Sequence, residues 1–127
     1  MQTKIAVGIA LACGIIIGAA GLDTLRAQTK TPPGYVVTEV EILDQALFKE
    51  FAEKTGPTID AHGGKRLVRG GAVTPLDGPP PKRVIINVFD SVAKAKAWRD
   101  SPEWKAIEPL RAKSTKSRDY IVEGIAN

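Results

Sequence analysis

TIDAHGGKRLVRGG, residues 58–71, is the point at which the pattern of the chain changes. Up to it, Phe48, Phe51, Thr55, Ile59 and His62 recur every three or four positions, so one helix face carries them all. Gly63 then stands where a left-handed C-cap belongs, and Gly64 loosens the joint further. Lys65 to Val73 follows as an extended segment, with a bulge or sharp bend expected at Gly70-Gly71. The stretch therefore reads as a helix handing over to a strand. Gly56-Pro57 interrupts the helical run, and a proline without its backbone donor predicts a kink or two abutting pieces.

Working outward, Asp44 is a suitable N-cap for this helix. Before it, Tyr35 to Ile42 (YVVTEVEI) alternates: Val36, Thr38, Val40 and Ile42 fall on one side, Tyr35, Val37, Glu39 and Glu41 on the other. Period two with β-branched residues predicts a strand whose glutamate side is wet or lines a polar cavity. After the joint, PLDGPPP (75–81) is a turn-rich loop. Lys82 to Phe89 is nearly continuously apolar from Val84, as a strand covered on both faces would be. Ser91 caps a helix through Trp98, and Ser101-Pro102-Glu103 opens another with cap, proline and first-turn acid in order. Trp104, Ile107 and Leu110 form its apolar stripe, with Pro109 expected to end or bend it. Arg118 to Ile125 closes the chain as a strand.

Strand, helix, strand, strand, helix, strand is the α+β, ferredoxin-like βαββαβ arrangement. Its four-stranded antiparallel sheet carries the helices on one face and leaves the other open. Apolar residues on that open face need cover, and pairing two sheets gives a homodimer, a dimeric α/β barrel.

The start of the chain has another character. Met1 to Lys4 is basic, Ile5 to Leu22 holds no charged side chain, and Asp23 to Gln28 is polar with Ala27 before a cut. That order predicts a signal peptide over 1–27 and a periplasmic or secreted protein. Uncleaved, the same run lies at the lower edge of what spans a bilayer, the only route here to membrane contact. Residues 28–33 read as a flexible tether and 34–127 as the domain. Cys13 falls in the leader, so the mature chain has no cysteine for a disulfide. The 18 basic and 14 acidic side chains become 16 and 13 once Lys4, Arg26 and Asp23 are set aside, a net charge of +3. With the signs interspersed, this balance argues against a nucleic-acid partner. Arg111, Lys113, Lys116 and Arg118 read as a solvated helix end.

GYVVTEVEILD, AHGGKRLVRGG, RVIINVFDS, DSPEWKAIEPLR and DYIVEG together resemble the family called domain of unknown function 1330, over about residues 34–124. The resemblance implies the dimeric α/β-barrel superfamily and brings no established activity. Cofactor-free monooxygenases, small isomerases and haem-dependent enzymes occur in that superfamily, but likeness of fold does not transfer a reaction.

Among single residues His62 is the candidate catalytic group, because imidazole exchanges protons near neutrality. As the only histidine, beside a cysteine-free domain, it leaves no metal site and no cofactor to be expected. Arg66 and Arg69 are candidates for holding a carboxylate by paired hydrogen bonds. Being three apart they point to opposite faces of a regular strand, so only one faces a given pocket unless the Gly70 bend re-aims the other. Trp98 is core or pocket wall, as is Trp104, and Tyr35 and Tyr120 end neighbouring strands with their hydroxyls near water. Tyr35 completes the candidate ligand-binding set. The glycine pairs are not phosphate loops, since the first runs from helix to strand.

These readings converge on a homodimer that binds, and as an enzyme would transform, a small organic molecule between helices and sheet. The alternatives are a non-catalytic dimerisation or interaction module and a cofactor-independent monooxygenase or isomerase. Nothing in the sequence decides whether the protein is an enzyme.

Overall fold

β1 (Gly34–Ile42) forms where the alternation places it, with Val36 and Val40 buried beneath the helices. The structure, a computed structural model, describes residues 31–126. The expected leader (1–27) and all of the expected tether but 31–33 lie outside the described residues. No helix among the described residues is long and apolar enough to cross a membrane.

The other elements are α1 (Gln45–Ala61), β2 (Lys65–Arg69), β3 (Arg83–Phe89), α2 (Val92–Asp100), α3 (Pro102–Ser114) and β4 (Thr115–Glu123). The strands pair antiparallel in the order β2-β3-β1-β4, the ferredoxin-like topology, with the second helical leg in two pieces. Asp44 Oδ1 accepts from the Leu47 amide, and the Ser91 and Ser101 hydroxyls accept from Lys94 and Trp104, so each helix starts at its expected cap. Gly63 adopts φ +72°, the left-handed value the joint requires, and the Gly63 and Gly64 amides close on Asp60 and Ile59 carbonyls.

Four local expectations are corrected or refined. α1 runs unbroken through Gly56-Pro57. There Thr55 and Thr58 hydroxyls donate back to the Phe51 and Thr55 carbonyls, and Pro57 faces solvent. α3 likewise continues past Pro109 to Ser114. β2 ends at Arg69, where Gly70 makes the expected bend at φ +79°, and a further irregularity that was not expected lies between Arg66 and Val68. β4 begins at Thr115, directly after α3, with Thr115, Ser117 and Asp119 on its inner side. Their polarity hid the start of the strand, because these side chains face a cavity and not the apolar core.

The core lies over the first rows of β1: Val36, Phe89, Ile59, Ala95, Trp98, Trp104 and Ile107, with Phe51 and Ile121 against it. Phe89 stacks on Trp98 at 5.2 Å between centroids, and Trp104 meets Trp98 edge-on at 6.1 Å. Towards the other end of β1 the helices stand off the sheet. On the sheet's far face, Val37, Val84, Ile86 and Val88 are half-buried in the single chain, while Val122 is exposed.

Candidate functional site

Where the helices stand off, a cavity of about 170 Å³ opens between them and the sheet. Val40 and Ile85 contribute to its floor from the sheet, Phe48 and Phe51 line it from α1, and Trp98 and Trp104 from α2 and α3. Its polar lining is dominated by arginine. Arg66, Arg69, Arg99 and Arg111 all border it, against the single carboxylate of Asp119.

The bulge in β2 is what brings the first two together. Arg66 pairs in register with Asn87 and Arg69 with Ile85, both inner residues of β3, with Leu67 as the extra residue. A bulge restores to one face two side chains that a regular strand would send to opposite faces. Both arginines therefore reach the cavity. Arg66 passes beside Gly56 and lies 3.5 Å from the exposed Asp60 carboxylate, while Arg69 makes no ion pair among the described residues.

The other two belong to a more shielded cluster. The Arg99 guanidinium lies 3.8 Å above the Trp104 ring and donates to Asp119 Oδ2 at 2.8 Å. A cation on an indole face is worth about 0.5–2 kcal/mol, so Arg99 is held from two directions. Arg111 donates to the Ser117 hydroxyl at 2.8 Å and stands 3.9 Å from Asp119 and 3.4 Å from Glu108. Three buried polar atoms of the cavity residues have no hydrogen-bond partner among the described residues: Asn87 Oδ1, Arg111 Nε and Asp119 Oδ1. Trp98 turns its N–H the other way, to Thr58 Oγ1 at 2.9 Å, and so offers the cavity only its apolar surface.

Of the residues singled out in the sequence, Arg66, Arg69 and Trp98 thus meet at one cavity. His62 does not border it. It caps α1, with its imidazole Nε2 3.7 Å from Glu103 Oε2 at the start of α3. That carboxyl is held below the usual carboxylate range, first by a backbone hydrogen bond of its own residue, with Ser101 and His62 adding to the effect. Tyr35 lies on the opposite face of the sheet, against Gly124. On that same face Glu39 accepts from Arg118 at 2.7 Å and from Tyr120 at 3.0 Å. Those bonds lower the Glu39 carboxyl and raise the Tyr120 phenol.

Arg99, Arg111, Asn87 and Asp119 carried no local signal of a site. Arg111 in particular is not part of a solvated helix end: its side chain is about three-quarters shielded against Trp104 and Ser117. Among the described residues no cluster of three His, Cys, Asp or Glu side chains is placed to hold a metal ion.

Several solved structures share this architecture. A protein of unknown function from Rhodopseudomonas palustris superposes with a TM-score of 0.64 at 18% identity, over 85% of this chain and 94% of its own. A dimeric protein of unknown function and ferredoxin-like fold from Bacteroides fragilis gives 0.52 at 14%, over 74% and 98%. SnoaB, a cofactor-independent oxygenase from Streptomyces nogalater, gives 0.51 at 10%, over 76% and 97%. At such identities the likeness is one of fold. Comparison with curated proteins finds no match. Residues 33–125 match the family described as Domain of unknown function (DUF1330), and the chain belongs to that family.

Proposed function

We propose that this protein is an exported homodimer that binds a small organic acid in the cavity between helices and sheet. The observation that carries the reading is the arginine pair of β2. The bulge aims Arg66 and Arg69 into a space walled by Phe48, Phe51, Trp98 and Trp104, and Arg69 has no counter-ion among the described residues. A guanidinium fork matches a carboxylate by two parallel hydrogen bonds, and aromatic walls favour an apolar body behind it. Arg99 and Arg111 already share Asp119, so the acid group belongs at the β2 side.

Two sheets meeting by their open faces would cover Val37, Ile86, Val88 and Val122, which supports the dimer, as does the dimeric Bacteroides relative. The leader pattern supports export. His62 we assign to the joint between α1 and α3, outside the ligand site.

Calorimetric titration of the mature chain with phenylacetate, and with phenylacetamide as its neutral counterpart, tests the reading. Saturable binding of the acid alone, lost in Arg69→Gln, is expected. Equal binding of acid and amide, or of neither, would overturn it. Sequencing the N-terminus of protein recovered from the exported fraction tests cleavage.

A further inference from the structure

The two sides of the cavity are chemically unequal. Arg66 and Arg69 come from β2, one edge of the sheet, and Asp119, Ser117 and Thr115 from β4, the other. Three strand spacings separate those edges, about 14 Å between backbones. Side chains reaching inward from both edges, and arginines from the helices above, shorten that span.

At the β4 side the charges answer one another. Arg99 and Arg111 converge on Asp119, and Arg111 also meets Glu108. This end has no reason to take a second anion. What two of its acceptors lack is a donor. Arg99 engages Asp119 through Oδ2, and its stacking on Trp104 holds that pairing in place. The other carboxylate oxygen, Oδ1, is buried and has no donor among the described residues, and neither has Asn87 Oδ1 on the neighbouring floor. A carboxylate offers only acceptor positions, so the group that suits Oδ1 carries a hydrogen.

We infer that the ligand is a hydroxylated aryl acid, its carboxylate on Arg66 and Arg69 and its hydroxyl, at the far end of the ring, donating to Asp119. This inference rests on the acid-binding reading and adds the second contact point. The ring between them lies among Trp98, Trp104, Phe48 and Phe51. The unpartnered Arg111 Nε lies on the same side and can donate to the hydroxyl oxygen.

The test is a titration of the full mature chain with 4-hydroxyphenylacetate, phenylacetate and 4-methoxyphenylacetate. The hydroxy acid is expected to bind at least ~10-fold more tightly than either analogue, since a buried acceptor left without its donor is costly. Asp119→Asn then distinguishes hydrogen bonding from packing. Arg99 still requires an oxygen, so the amide nitrogen takes the place of Oδ1 and an acceptor becomes a donor. The hydroxy acid should lose its advantage over the methoxy acid in that variant, because the methoxy oxygen only accepts. Equal affinity of the three acids for the unaltered protein would overturn this inference and leave the acid-binding reading standing. Failure of all three to bind would overturn both. If Asp119→Asn does not fold, the ranking on the unaltered protein decides.

Discussion

The guanidinium of Arg66 occupies the space that a side chain at position 56 would need. A Cβ on Gly56 would lie 2.7 Å from Arg66 Nη1. The glycine in the middle of α1 is thus a notch through which a β2 arginine reaches the cavity. Gly56→Ala should raise helix propensity by about 1 kcal/mol while pushing the guanidinium aside. The melting temperature is expected to hold or rise, and affinity for phenylacetate to fall roughly 10-fold, equivalent to about 1.4 kcal/mol. Paired thermal denaturation and calorimetric titration separate the two effects. A fall in stability with unchanged affinity would show that the notch serves the helix and not the site.

Thr58 is the acceptor for the buried indole N–H of Trp98, and its own hydroxyl hydrogen goes to the Thr55 carbonyl. Thr58→Val keeps the shape and removes the acceptor. A buried donor left unmade costs about 1–3 kcal/mol. At roughly 4–8 °C per kcal/mol for a domain of this size, the loss is easily read in a melting curve. Thr58→Ser should retain most of the stability.

Gly64 touches the core where the helix passes into β2. A Cβ there would meet Phe89 Cε1 at 2.6 Å and Ile59 Cγ2 at 2.7 Å, both parts of buried side chains. Gly64→Ala should destabilise by about 1–3 kcal/mol through overpacking. Gly71→Ala, with nothing within 4 Å of its added carbon, is the matched control and should change little.

The open face of the sheet carries one source of pH dependence. Hydrogen bonds from Arg118 and then Tyr120 depress the Glu39 carboxyl, so its contribution is present above the ordinary carboxylate range and lost as pH falls through the depressed value. Glu39 in turn raises the Tyr120 phenol, whose contribution is complete below its ordinary value near 10 and lost as pH rises through the elevated one. Arg118 and Tyr120 are exposed and Glu39 half-buried in the single chain, so the cluster contributes little to its stability. Acid-unfolding curves of the unaltered protein and of Glu39→Gln should therefore differ only slightly, and a large gap between them would show that the cluster contributes more than its exposure allows.

Ile86 lies opposite Val37 on the same face. Ile86→Asp places a charge in the middle of the apolar rows and should leave a folded monomer by sedimentation velocity. Unchanged association would place the contact elsewhere.

How much of this was legible beforehand follows from where each signal lives. The alternation of Tyr35–Ile42, the Ser101-Pro102-Glu103 start of α3 and the left-handed Gly63 are decided by neighbours along the chain, and all three appear in the structure as read. The cavity's chemistry is another matter. Whether Arg66 and Arg69 share a face depends on one extra residue in β2, and only its pairing with β3 reveals that bulge. Asp119 meets Arg99 and Arg111 across two elements, and Arg111 lay hidden in what read as a run of solvated charge. His62, conspicuous because it is unique, caps a helix outside the cavity. Local periodicity determined the elements and their order, because propensity and capping act within a turn or two. The gathering of four arginines around one cavity, two of them on its single carboxylate, is a product of strand register and helix packing, contacts between residues far apart in sequence that no local pattern encodes.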